Sequence, residues 1–290
     1  MQYLIDQLVS GVAVGAVYGL VAMGFALTYK ATGVVNFAQG EIAMLVAYVA
    51  WSMAEAHPES PWLAVAGALA AAIVFGLVVE RFIMRPMLGE PIFSTVMVTI
   101  ALAVILRSAT LLLWDAYPHG LELGVGRGLI VIGQTGMRTA QLGVIAALLV
   151  AMASVWAFFR FSRIGKAMRA VAADERAAQL MGISAGRVHA VAWVASSTIS
   201  GMAGVFFALL YDVSPTLFQV GIKGFPATIL GGLDSVLGSG FGGIVIGVVE
   251  NLAAGYAKPS VKAVAGLVII IAVLLIRPFG LFGKREIERV

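Results

Sequence analysis

The chain has 290 residues, of which 61% are hydrophobic and 12% charged, with a net charge of +4 and a mean hydropathy of +0.99. A soluble domain needs about 25% charged residues to face water, so a water-soluble enzyme or binding module of this size is excluded. With no cysteine there is no disulfide, thiolate metal site or cysteine nucleophile, and His57, His119 and His189 share no ligand spacing, so no metal is expected.

The first eleven residues lack the basic start and small-residue cleavage site of a secretory signal, so the first apolar run is expected to stay as a helix. Apolar runs follow at 7–29, 36–54, 62–80, 92–114, 142–159, 188–211, 224–253 and 260–276. Most are close to the roughly 20 residues that cross a bilayer. Lipid cannot satisfy an open strand edge, and the runs are too long and continuous for barrel strands, so helices are expected throughout. The predicted fold is all-α: a polytopic transmembrane bundle of about eight apolar segments, forming one domain over 1–290.

In the first run, Gly11, Gly15 and Gly19 make two overlapping G-x-x-x-G steps on one helix face, a pattern that favours close helix packing. The second opens on NFAQGE at 36–41. Polar groups at membrane depth are costly and often line a pathway. The simpler account makes Asn36 a helix cap and sets Glu41 at the positive helix end, in contact with cytoplasmic water. Arg107, near the end of its run, is expected to snorkel to the interface. Between Asp115 and Gln141 lies a long polar connection.

The 160–187 loop holds six basic residues against Asp174 and Glu175, which places it in the cytoplasm. Arg81 and Arg85 mark a second cytoplasmic loop, and Lys284, Arg285 and Arg289 put the C-terminus inside. The N-terminus is then outside. Within the loop, ADERAAQLMGI at 173–183 reads as a short amphipathic helix with acids in its first turn and Gly182 as terminator. It is either a handle for a partner protein or a solvated loop that only sets topology.

Two later features bear on transport. GLVAMGFALTY (19–29) and GMAGVFFALLY (201–211) align as a weak internal echo, and transporters are often built from inverted repeats. The run at 224–253 is interrupted by Pro226, several glycines and Asp234, and the cytoplasmic C-terminus requires an odd number of crossings after Asp212. Either a re-entrant or broken segment near 224–243 or a tight turn around Gly231–Ser239 satisfies that parity. Glu250 and Asn251, late in this run, read as marks of its exit.

These segments resemble one family across nearly the whole chain: the permease subunits of bacterial branched-chain amino acid ABC importers, and among them the H-type subunit. The likeness rests on NFAQGE (36–41), RP (85–86), SRIGKAMRAVAADERAAQLMGI (162–183), ILGGLDSVLGSGFGG (229–243) and RPFGLFG (277–283). Where the family commonly has histidine, this chain has Gln39. The resemblance implies an inner-membrane permease that moves branched-chain or other hydrophobic amino acids by alternating access. Urea, short amides and other amino acids are handled by similar permeases. It implies an ATPase-coupling helix at 172–183, with Asp174, Glu175, Arg176, Ala177, Ala178, Leu180, Met181 and Gly182, and a pathway lined by Asn36, Gln39, Glu41 and Asp234. The implied partners are a second, paralogous permease, two cytoplasmic ATP-binding subunits, an external solute-binding protein and membrane lipid, with no nucleic acid. No phosphate-binding G-x-x-x-x-G-K-[ST] loop is present, so ATP and magnesium are expected to be used by the ATPases and no cofactor by this chain.

A lone ion-coupled carrier or channel would predict intramembrane charged pairs or rings of coordinating groups, and the sequence offers few such groups. An intramembrane enzyme would need a base near the cluster Ser196, Ser197, Thr198 and Ser200, and none is placed by spacing.

Overall fold

A computed structural model describes residues 2–124, 128–132, 135–258 and 260–283. The basic residues Lys284, Arg285 and Arg289 lie outside these.

The helices are α1 (Gln2–Thr32), α2 (Gln39–Ala56), α3 (Pro61–Val78), α4 (Ile92–Leu113), α5 (Thr139–Phe161), α6 (Arg163–Ala173), α7 (Glu175–Leu180), α8 (Ala185–Leu210), α9 (Gln219–Gly231), α10 (Val236–Tyr256) and α11 (Val261–Ile276). A π-helical turn at Val79–Met84 prolongs α3. Among the described residues, six helices are long and apolar enough to cross a membrane: α1, α3 with its extension, α4, α5, α8 and α10. The chain is a multi-pass helical membrane protein.

α1 runs through the centre, buried from Ala13 to Thr28, against α8, α9 and α10. Its glycines explain how α10 comes so close. A Cβ on Gly11 would lie 2.8 Å from the Val248 Cα, and one on Gly15 2.8 Å from the Gly243 carbonyl oxygen. On Gly19 it would lie 2.7 Å from the Gly240 oxygen, so the two helices meet backbone to backbone, antiparallel. Without water to expel, such close approach replaces the hydrophobic effect as the source of helix association. The outward faces of α3, α4, α5 and α11 present exposed Leu, Ile, Val and Phe, as a lipid-facing surface requires.

The bundle has two distinct ends. One carries α6, α7, the C-terminus of α1 and the turn between α9 and α10, where the Lys30 ammonium donates to the Asp234 carbonyl at 2.8 Å. The segment at 277–283 closes over that turn, with the Leu281 and Phe282 amides donating to the Leu230 and Gly231 carbonyls. At the other end, His119 pairs its backbone with Val213 and stacks on Trp51 at 4.0 Å. There, too, the polar 115–141 connection contains a short antiparallel hairpin, β1 (Leu129–Ile132) and β2 (Thr135–Arg138), which the polarity of the segment concealed.

The interrupted run at 224–253 resolves into two helices. α9 has 13 residues, Gly232 takes φ +107°, and α10 begins at Val236 with the Ser235 hydroxyl accepting from the Gly238 amide. The tight turn is therefore present, and α9 is also a short, half-length helix: each alternative described one end of the same segment.

Candidate functional site

The internal echo corresponds to a structural one. α1 and α8 are antiparallel: Ala31 clusters with Ala185 and Val188, while Gly24 packs on Ser200. Each is followed by an irregular break, 33–38 and 211–218, and then by a helix, of 18 residues in α2 and 13 in α9, whose first residues include a glycine, Gly40 or Gly221. The two breaks meet. A Cβ on Gly221 would lie 2.6 Å from the Gly40 Cα, and one on Gly40 would strike the Phe218 carbonyl oxygen. Side chains are excluded from both positions because backbone touches backbone.

The first break is held by side chains from several helices. Thr32 ends α1 and Gly33 turns the chain at φ +68°. The Asn36 carboxamide accepts from the Ala38 amide at 3.1 Å and donates to Gln39 Oε1 at 2.8 Å. Gln39 Nε2 donates to the Ser196 hydroxyl at 2.8 Å and also to that of Ser200, and Ser196 donates to the Gly24 carbonyl. Ser196 and Ser200 of α8 thus anchor Gln39. Asn36 and Gln39 are fully buried, and neither is the terminal cap of α2, whose preceding residue is Ala38.

Glu41 and Arg107 depart from their expected places. Glu41 meets no bulk water: its side chain is 4% exposed and accepts from Arg107 NH2 at 2.5 Å. Arg107 does not snorkel outward; it turns into the bundle and lays its guanidinium 3.4 Å from the centre of the Phe218 ring, in the second break. The low dielectric of the interior makes pairing the way to accommodate both charges. A cavity of about 460 Å³ opens beside them, lined by Phe25, Phe37 and Gly40, by Ile100, Ala103 and Val104 of α4, by Phe218, Gly221, Ile222, Phe225 and Pro226, and by Leu267. Asp234 is not brought to this site. It sits in the α9–α10 turn, beyond the far end of α9, which rises roughly 15 Å from Gly221 to Gly231 at 1.5 Å per residue.

A second buried pair lies nearby. Lys223 Nζ is 2.5 Å from Glu250 Oε1, and the Tyr18 hydroxyl donates to Oε2 at 3.2 Å. Glu250 is therefore an internal anchor and not the mark of a helix exit. Lys223, one residue before the apolar run at 224–253, carried no signal in the sequence. Asn251 donates to the Gln7 carbonyl, tying α10 to α1.

At the loop end, α6 buries one face of an amphipathic helix, Met168 and Val171 with residues of α1 and α8 and Gly165 on the Phe158 and Phe159 backbone of α5. The Asp174 carboxylate caps α7 by accepting from the Ala177 amide at 2.9 Å, and Gln179 donates to Glu175 at 3.0 Å. Gly182 at φ +83° ends α7, with its own amide bonded to the Gln179 carbonyl and the Ile183 amide to that of Ala178. Ala178 alone in α7 is buried. Ala177 is exposed, and Leu180 and Met181 stand 89% and 83% exposed, an apolar knob beside Arg176. Among the described residues, no group of three or more His, Asp or Glu is placed to hold a metal. Outside the spans, the Tyr117 amide and then the His119 ring hold the Asp115 carboxyl below the usual carboxylate range.

Two broken helices meeting near a buried charge pair, inside a multi-pass bundle with a structured loop at one end, define a membrane transport subunit. The family model described as "Branched-chain amino acid transport system / permease component" matches residues 7–274. The chain is 31% identical, over 99% of its own length and 98% of theirs, to the high-affinity branched-chain amino acid transport system permease proteins LivH of Salmonella typhimurium and BraD of Pseudomonas aeruginosa. It is 26% identical, over 89% of its length and 79% of the relative's, to the fructose import permease protein FruG of Bifidobacterium longum. The chain belongs to the branched-chain amino acid permease family of ABC transport systems and is a transport component.

Proposed function

We propose that this chain is one transmembrane half of an ATP-driven importer, taking branched-chain or other hydrophobic amino acids across the bacterial inner membrane by alternating access. The observation that carries the proposal is α7: a capped helix held by one buried alanine, with Leu180 and Met181 turned to solvent at the basic end of a membrane bundle. A large apolar pair left exposed in that position is suited to insertion in a cleft of another protein. The partner is an ATPase subunit, docked on Asp174, Glu175, Arg176, Ala177, Leu180, Met181 and Gly182, with Ala178 as the internal anchor. Closure of two such ATPases moves the bundle, and this chain contributes no hydrolytic site and binds no cofactor. A second, paralogous permease completes the membrane pair, and a solute-binding protein delivers substrate to the hairpin end. The basic residues around α6 and α7 set that end in the cytoplasm, with the C-terminus inside and the N-terminus outside.

The test is uptake into proteoliposomes containing this chain with its co-encoded permease, ATPases and binding protein. ATP-dependent entry of labelled leucine is expected. ATP-dependent entry of urea or fructose instead would keep the mechanism and overturn the substrate, whereas uptake by this chain without ATP or partners would overturn the importer itself.

A further inference from the structure

We infer that the Glu41–Arg107 pair is the point at which this permease recognises the free α-amino acid zwitterion, with the carboxylate on Arg107, the ammonium on Glu41 and the apolar side chain against the phenylalanines of the cavity. The inference rests on the importer reading above and names the chemistry that its pathway selects.

Three observations lead to it. First, of the two buried charge pairs near the junction of the breaks, this is the one that lines the cavity; Lys223 and Glu250 do not. The volume of about 460 Å³ falls within the roughly 300–1,000 Å³ of small-molecule sites, and the walls are mainly apolar, with few convergent polar groups. Second, the pair is unevenly placed. The Glu41 carboxylate is almost wholly buried, while 41% of the Arg107 side chain remains exposed. Third, Arg107 has unused donors. It donates to Glu41 through NH2, and its Nε–H is buried without an acceptor. A guanidinium offers five donors in a planar fork that matches a carboxylate in bidentate fashion.

Charge balance then selects the ligand. An empty pair is neutral, and a zwitterion inserted between its members exchanges one ion pair for two, again with no net charge. A carboxylic acid or an amine alone would leave one uncompensated charge in a low-dielectric site, which is costly. A sugar or urea has no charges to exchange. The α9 N-terminus, reaching the cavity at Gly221 and Ile222, adds a partial positive potential near the ligand carboxylate.

The test uses the assembly of both permeases and both ATPases in nanodiscs without binding protein, so that only the membrane site is read. Binding of labelled leucine is competed with leucine, with 4-methylpentanoate (leucine without its ammonium), with 3-methylbutylamine (leucine without its carboxylate), and with fructose. One charge-assisted interaction is lost with each half-molecule, so leucine is expected to compete roughly tenfold or more better than either. In Glu41→Gln the advantage over 4-methylpentanoate should vanish, and in Arg107→Gln the advantage over 3-methylbutylamine should vanish. A merely misfolded site would lose all ligands alike. If either single variant fails to assemble, Glu41→Gln/Arg107→Gln restores a neutral, hydrogen-bonding pair and should bind both half-molecules as well as leucine. Equal competition by leucine and a half-molecule in the wild type, or unchanged preferences in the variants, would overturn the inference. Leucine uptake by the wild type in that case leaves the importer standing, whereas its absence overturns the substrate assignment and this inference with it.

Discussion

Replacing Lys223 tests whether a buried pair holds α9 in place. The Lys223 side chain is 29% exposed and that of Glu250 1%. Lys223→Met leaves the Glu250 carboxylate with only the Tyr18 hydroxyl. Breaking a buried pair by removing one partner costs about 3–5 kcal/mol. We expect the lower figure, about 3 kcal/mol, because the partial exposure of Lys223 means the pair is not fully desolvated. Glu250→Met should cost less, about 1–2 kcal/mol, since an unpaired lysine can extend its ammonium toward water. The double variant removes both charges and should be near neutral, within about 1 kcal/mol. At roughly 2–4 °C per kcal/mol, Lys223→Met lowers the unfolding midpoint by about 6–12 °C and the double variant by no more than about 4 °C. Intrinsic fluorescence of the purified assembly during heating measures all three. If the double variant is destabilised by the sum of the singles, the two residues are not coupled and the pair does not hold α9.

Other substitutions probe separate parts of the molecule. Asp174→Ala removes the cap on the Ala177 amide, worth about 1 kcal/mol; ATP hydrolysis should persist while leucine uptake falls, and Asp174→Asn, which can still cap, should restore it. Leu180→Asp/Met181→Asp places charge on two largely exposed positions, so the melting point should not move while the ATPase subunits no longer co-purify. Gly221→Val drives a side chain into the Gly40 backbone, and overpacking of about 1–3 kcal/mol should abolish uptake, whereas the same change at Gly89, which has nothing within 4 Å but a φ of +90°, should cost only local strain. Gly15→Leu forces α1 from α10, and recovery of folded protein from membranes should drop sharply.

The elements legible in the sequence were those set by local chemistry. Apolar runs gave the spans because burial in lipid requires a long uninterrupted stretch. Asp174 and Gly182 delimit α7 because a cap and a positive-φ terminator act within a few residues of the helix they bound. The glycine steps of α1 announced close packing, though not its partner α10, more than 220 residues away. The pairs were the hidden part. Glu41 and Arg107 are 66 residues apart, and Lys223 and Glu250 are 27 apart on two different helices. Neither spacing has a local signature, so Glu41, Arg107 and Glu250, each read by itself, looked like helix-end residues, and Lys223 drew no reading at all. α6 was missed as a helix because its short amphipathic pattern lay among basic residues that already had a topological meaning.

The two pairs have a common logic that neither shows alone. Each broken helix carries an ionisable residue just after its glycine, Glu41 after Gly40 and Lys223 after Gly221, and each is neutralised by a residue from a longer helix, Arg107 of α4 or Glu250 of α10. At a helix N-terminus an acid is favoured and a base disfavoured by the macrodipole. Glu41, in the first turn of α2, therefore helps its helix to begin, whereas Lys223 stands past the first turn of α9 and depends on Glu250 for neutralisation. Both breaks reach the cavity, but of the two pairs it is Glu41 and Arg107 that line it. Glu250 is held from a third side by Tyr18 of α1, and a Cβ on Gly266 of α11 would come within 2.8 Å of its Oε1. The Lys223 pair is thus locked among four helices, while the Glu41 pair borders open volume. One behaves as a fastening for the second break, and the other is the pair whose partners can be exchanged.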